Sequence, residues 1–272
     1  MEYFWYGILF TLGAIIGSFL NVVIYRLHTG KSLNGRSHCM SCGTTLTWTE
    51  LFPLFSYIAL RGRCKVCLAH IPSRYFVVEL LTGMLYMLVW HLFVPHIMLV
   101  ILNLILVSLC VVIIVYDIRH TIIPDELTVL VGIVAVIFLG QSTLQSGDYT
   151  IIVNSVIGGL CAFIFFWGLW YVSKGRWIGL GDAKLALPLA LIVGASGVFT
   201  MVVLSFWIGA LVSLTLLGIH AVCIRGKKHL RFPLPALTIK SEIPFAPFLI
   251  VGFLLVHFFH ASIFTITYQL FF

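Results

Sequence analysis

The stretch HIMLVILNLILVSLCVVIIVYDIR, His96 to Arg119, decides the fold. From His96 to Tyr116 it has no acid, Lys or Arg, and it stops on Asp117 and Arg119. A hydrocarbon layer about 30 Å thick takes about 20 residues of α-helix to cross, so the run reads as a membrane-spanning helix with a carboxylate at its end. The reading repeats on both sides. Tyr3 to Tyr25, Tyr75 to Val94, Leu127 to Leu144, Ile151 to Val172 and Val198 to Ile224 are apolar runs bounded by Pro, Gly, acidic or basic residues. A short run near Leu185 to Val193 covers about half a bilayer, and an eighth begins near Ile243 and continues to the C-terminus. The first run follows Glu2 rather than a basic residue and is too long for a signal-peptide core, so it reads as retained. The expectation is an all-α polytopic membrane protein with about eight transmembrane helices.

Composition agrees. Apolar residues make up 61% of the 272 and charged residues 9%, against roughly 25% charged in soluble domains, and the mean hydropathy is +1.12. A soluble globular domain is excluded. The formal charge of +7 does not point to nucleic acid, because the basic residues are few and dispersed among loops. Assigning the loops alternately to the two sides puts all sixteen Lys and Arg on one side: in Arg26 to Arg74 (including Lys31), at Arg119, at Lys174, Arg176 and Lys184, and at Arg225, Lys227, Lys228, Arg231 and Lys240. The opposite loops, at Pro95, Gln141 to Thr150 and Gly194 to Gly197, have none. Positive residues collect on the cytoplasmic side, which puts both termini outside. Three regions follow: residues 1–27 as a first transmembrane helix, 28–74 as a cytosolic insert, and 75–272 as the main bundle.

The insert carries Cys39-X-X-Cys42 and Cys64-X-X-Cys67, two pairs at the spacing of a four-thiolate zinc knuckle. Two disulfides are the alternative, and a reducing cytosol disfavours them. Cys110, Cys161 and Cys223 lie inside apolar runs and read as small buried hydrophobes. Residues 48–60 are apolar enough to lie on the membrane surface or to pack on the bundle.

Eight of the nine acidic residues separate by position. Glu2, Glu50 and Asp148 suit solvated structural roles. Glu79 lies just inside the second crossing, where a carboxylate is costly and is either functional or paired, with Arg74 as a candidate partner. Asp125 and Glu126 follow Pro124 and suit the cap and first turn of the fourth helix. Asp117 and Asp182 both fall at cytosolic ends of crossings, and Gly179-Leu180-Gly181 ahead of Asp182 would let a substrate backbone come close. Two carboxylates in a partly dry site provide a base for water and an acid for a leaving amine. The same acids also suit a proton or cation path.

Together these stretches resemble the type IV prepilin peptidases, membrane aspartic proteases of which many also methylate their product. The resemblance covers nearly the whole chain. It rests on Gly17-Ser18-Phe19-Leu20-Asn21 through Arg26, on the two cysteine pairs, on Ser73-Arg74-Tyr75 through Gly83, on Asp117 with Ile123-Pro124-Asp125-Glu126-Leu127-Thr128, and on Gly179-Leu180-Gly181-Asp182. Met40 and His28 stand where that family often has proline, and Ala246 replaces a common glycine. The resemblance implies a protease in the bacterial inner membrane, with its active site facing the cytosol. Its substrates would be prepilins or pseudopilins. Asp117 and Asp182 would be catalytic, supported by Gly179, Gly181, Glu79 and Asp125, and Cys39, Cys42, Cys64 and Cys67 would hold Zn²⁺. S-adenosyl-L-methionine would be the methyl donor. Two alternatives stay open: a protease without methyl transfer, since no Gly-rich nucleotide loop is present, and an ion- or proton-coupled transporter, against which the absence of an inverted repeat counts.

Overall fold

A computed structural model describes residues 2–29, 32, 34–225 and 244–261. Lys31, Lys227, Lys228, Arg231 and Lys240, the expected start of the eighth crossing at Ile243 and its end beyond residue 261 lie outside the described residues, as does the side chain of Cys223. The described chain is all-helical, without a strand, and falls into two compact units, Met1–Val115 and Tyr116–Phe272.

In the first unit, α1 (Glu2–Arg26) and α3 (Arg74–Phe93) pack together, and α4 (Ile97–His120) begins. Without water to drive apolar association inside a bilayer, helices depend on close backbone contact at small residues. A Cβ added at Gly13 would come within 2.8 Å of the Gly83 Cα, and one at Gly17 within 2.8 Å of the Glu79 Cα. Between the two helices lies the cysteine insert, with a 3₁₀ turn at Trp48–Leu51 and the short α2 (Phe55–Ala59). Glu50 closes the 3₁₀ turn by accepting the Thr47 backbone N–H at 2.8 Å and its hydroxyl at 2.6 Å, the structural role expected of it. Within residues 48–60, Leu54 is buried while Trp48, Phe52, Phe55 and Ile58 are exposed.

The second unit holds the last turn of α4, then α5 (Asp125–Ser146), α6 (Thr150–Ser173), α7 (Leu180–Arg225) and α8 (Ala246–Phe259). Asp148 serves α6 by accepting the Thr150 backbone N–H at 2.8 Å. α7 packs on α5, α6 and α8. It is two helices joined through Gly194, whose φ of 70° and ψ of 172° only glycine adopts readily. The expected outer loop at Gly194 to Gly197 is therefore a single-residue break with helix on both sides. Likewise α5 continues to Ser146, leaving a shorter loop than Gln141 to Thr150. Six described helices are long and apolar enough to span a membrane. Counting α7 as two segments and adding α8, the expected eight are present, with the short sixth being residues 180–193. Cys110 is buried as expected, but Cys161 is exposed. It sits on a face of α6 shared with exposed Ile157, Ile164 and Phe165, the kind of surface that meets lipid.

Gly13→Val and Gly17→Val should each wedge α1 from α3 and cost about 1–3 kcal/mol. Thermal unfolding in detergent measures this, with Gly7→Ala, which meets nothing within 4 Å, as a control close to wild type.

Candidate functional site

The α4 run ends with Asp117 in its final turn, and α7 begins with Asp182 in its first. They are only 4% and 7% exposed, and the second unit brings them within range for the charge of Asp117 to act on Asp182. Each carboxylate meets a backbone N–H. Asp182 Oδ2 accepts from Gly179 at 3.2 Å, which folds the Gly-Leu-Gly turn back onto the acid. Asp117 faces the N–H of Ala246, the first residue of α8. The opening N–H groups of a helix have no partner within it, and here the cap residue Phe245 offers them no side-chain acceptor. The partial positive end of α8 thus offsets the negative end of α4 at which Asp117 sits. Asp117 Oδ2 has no hydrogen-bond partner among the described residues. A buried polar atom left this way is costly, and an acceptor with no partner among the described residues suits a water or substrate group.

The turn between α4 and α5 completes this region. A Cβ on Gly181 would meet the Ile123 side chain at 3.2 Å, so the glycine lets Ile123-Pro124 lie against the start of α7. Pro124, not Asp125, is the cap residue of α5; Asp125 is the first residue of the helix. Its two oxygens accept from Lys184 Nζ at 2.8 and 2.9 Å, a pairing that sequence spacing did not disclose. The Ala246 amide was missed as well. Its only sequence signal was the Pro244-Phe245-Ala246-Pro247 stretch, whose prolines mark a helix start.

In the first unit, the four cysteine ligand atoms lie within 4.8 Å of one another, and their thiols are free. The two pairs fold alike. Cys39 N–H donates to Thr44 and Gly43 N–H to Cys39, while Cys64 N–H donates to Ala69 and Leu68 N–H to Cys64. Each turn needs a left-handed residue, supplied by Gly43 (φ 72°) and Leu68 (φ 58°). Cys39 Sγ and Cys67 Sγ, one from each turn, are 3.7 Å apart. A tetrahedral site with metal–sulfur bonds of about 2.3 Å has sulfur–sulfur edges of about 3.8 Å, so the cluster has the dimensions to hold a metal ion. The Thr44 hydroxyl and amide push the Cys42 thiol down to about 6, and the Cys67 and Val66 amides lower Cys64, both favouring the thiolate a metal requires; against the Ala69 amide, burial and the three neighbouring sulfurs push Cys67 up to about 12, the crowding a bound cation relieves.

Glu79, 8% exposed, accepts the Leu54 N–H at 2.8 Å and also meets the Ser18 hydroxyl. It is not paired with Arg74, whose guanidinium lies over the Tyr75 ring, 5.2 Å from its centre.

A multi-pass membrane protein with a buried carboxylate pair at helix ends and a four-thiol cluster in a polar insert is the class these features define. Residues 104–214 match the type IV leader peptidase family, and residues 11–93 match the bacterial peptidase A24 N-terminal domain. The chain belongs to the type IV leader peptidase family. Three relatives carry the name prepilin leader peptidase/N-methyltransferase. The protein of Myxococcus xanthus is 35% identical over 219 residues, 77% of this chain and 62% of that protein, so the match spans less than two thirds of that relative. The protein of Klebsiella pneumoniae is 30% identical over 71% of this chain and 86% of its own length. That of Vibrio cholerae is 32% identical over 75% and 84% respectively. No solved structure matches this chain.

Lys184 and Asp125 are 42% and 67% exposed, so solvent screens their ion pair. Asp125→Asn and Lys184→Met should each lower stability by no more than about 1 kcal/mol, read as a small shift in thermal unfolding.

Proposed function

We propose that this chain cuts the leader peptide from type IV prepilins or pseudopilins at the cytosolic face of the bacterial inner membrane, with Asp117 and Asp182 as the catalytic pair. It then N-methylates the new N-terminal residue using S-adenosyl-L-methionine. The observation that carries the reading is the buried pair itself, with the orphaned Asp117 Oδ2, in a chain whose relatives bear both activities in their names. The ionised carboxylate takes a proton from water as the water oxygen attacks the scissile carbonyl. The protonated one gives its proton to the departing nitrogen as the C–N bond breaks, the division of labour of aspartic proteases. The collection of basic residues on one side supports both termini outside and the pair facing the cytosol, the depth at which a prepilin offers its junction between leader and apolar helix. Residues 1–27, 28–74 and 75–272 then act as an anchor, a metal-clipped insert and a protease bundle.

In the insert, Cys39, Cys42, Cys64 and Cys67 hold Zn²⁺, whose four-coordinate shell an all-thiolate set fills, and which pins the two turns together. For the second activity, S-adenosyl-L-methionine supplies an electrophilic methyl group on sulfur. The chain must present an unprotonated amine, and the Glu79 carboxylate, steadied by the Leu54 amide, orients that amine and takes its proton.

Asp117→Asn and Asp182→Asn should each slow prepilin cleavage at least about 10²–10⁴-fold in purified enzyme, with expression and metal content unchanged. Asp125→Asn should retain substantial activity. An Asp182→Asn enzyme that cleaves like wild type would sink the assignment. Elemental analysis should find about one zinc per chain, lost in the Cys39→Ser/Cys64→Ser double variant; four oxidised sulfurs and no metal would overturn the zinc site.

A further inference from the structure

Residues 48–60 carry apolar side chains on two faces. On the inner face Leu54 is buried and its N–H donates to Glu79 Oε2 at 2.8 Å, while the Tyr57 ring lies against that of Phe76 with centroids 5.4 Å apart. On the outer face Trp48, Phe52, Phe55 and Ile58 are each more than half exposed. Phe55 and Ile58 stand three apart in α2 and so share one side of it, and the Phe52 ring continues the patch 5.6 Å from that of Phe55. The inner face is already seated on α3, so the outer one is a second apolar surface, and a contiguous patch of this kind marks an interaction site. We propose that the outer face is an interfacial anchor, which seats residues 48–60 in the headgroup layer of the leaflet where α1 ends and α3 begins, with anionic phospholipid as its partner. Only a membrane-crossing chain is required for this, so its test is independent of the peptidase reading.

Depth decides what covers the patch. The 20 residues of α3, rising about 1.5 Å each, reach about 30 Å, no more than the thickness of the hydrocarbon. Its first turns, from Arg74, therefore lie at the edge of the hydrocarbon rather than out in water. Phe76 and Glu79 follow Arg74 by two and five residues, about 3 and 7.5 Å along the helix, and these are the residues that hold the inner face. A segment tied at that depth has its outer side chains among headgroups and upper acyl chains, the layer in which Trp and other aromatic residues collect and in which a short apolar-faced helix lies flat.

Charge selects the lipid. Residues 28–78 contain six Lys and Arg and a single acid. That acid, Glu50, is engaged by Thr47, whereas Arg61 and Arg63, which follow α2 directly, are exposed. Cations beside an aromatic patch are drawn to an anionic headgroup surface. The apolar helix of a prepilin would match the aromatic side chains and leave these cations unanswered, which favours lipid over substrate as the occupant.

The test reconstitutes the full chain in bilayer nanodiscs. Trp48 emission is read as the difference between wild type and Trp48→Phe, a change at an exposed side chain, and lipid brominated high on its acyl chains should quench most of it. In nanodiscs with equal amounts of photoreactive phosphatidylglycerol and phosphatidylcholine, residues 48–58 should be labelled by the anionic lipid at least about fivefold more than by the zwitterionic one. Arg61→Gln/Arg63→Gln should bring that ratio close to one. Phe52→Ser/Phe55→Ser, which leaves Leu54 and Tyr57 in place, should reduce labelling by both lipids. Trp48 emission that brominated lipid leaves unchanged, or equal labelling of wild type by the two lipids, overturns the anchor. So does lipid labelling of residues 48–58 that an added prepilin displaces, because the face would then belong to the substrate.

Discussion

Hydrocarbon offers no hydrogen bonds, so each polar group this chain carries into a bilayer has to be satisfied by the chain itself. That constraint makes the backbone helical and sends acids to helix ends, where unpaired N–H groups can meet them. Asp182 takes the N–H of Gly179, Asp117 faces that of Ala246 and Glu79 takes that of Leu54. In each case a carboxylate is retained in a buried position by a backbone donor rather than by a lysine or arginine. An ion pair would neutralise the acid as it holds it; a backbone amide steadies it without a counter-charge.

The same constraint explains the glycines. Helices that gain nothing from excluding water from one another must gain from close packing, and Gly13 and Gly17 let α1 approach the backbone of α3 at Gly83 and Glu79. Gly17 thereby helps set the position of Glu79. In the second unit, Gly158 of α6 lies against the backbone at Gly194 and Ala195, next to the break in α7. The break itself leaves the first part of α7 short. Asp182 thus sits at the start of a helical segment only residues 180–193 long, which Gly181, Ile123 and the Lys184–Asp125 pair tie to the start of α5.

The insert works on another principle. Its helices are too short to be stable alone, and two repeated turns bring four thiols into one cluster. A metal held there would replace the apolar core that so small a segment lacks.

Hydropathy alone determined that the chain is an all-helical membrane protein, because about 20 apolar residues per crossing is a one-dimensional requirement; even the short sixth segment was legible before Gly194. The cysteine cluster was legible for a related reason, since two Cys-X-X-Cys turns carry most of their geometry locally. Sequence also singled out Asp117, Asp182 and Glu79, as acids are conspicuous where they are costly. Their partners were not legible. The expected Arg74 contact of Glu79 is replaced by an amide 25 residues away in the chain, Lys184 reaches Asp125 across 59 residues, and α8 offers Asp117 a backbone N–H. Backbone donors are present at every residue except proline and leave no mark in the sequence. Which of them faces a given carboxylate is decided only when the helices pack.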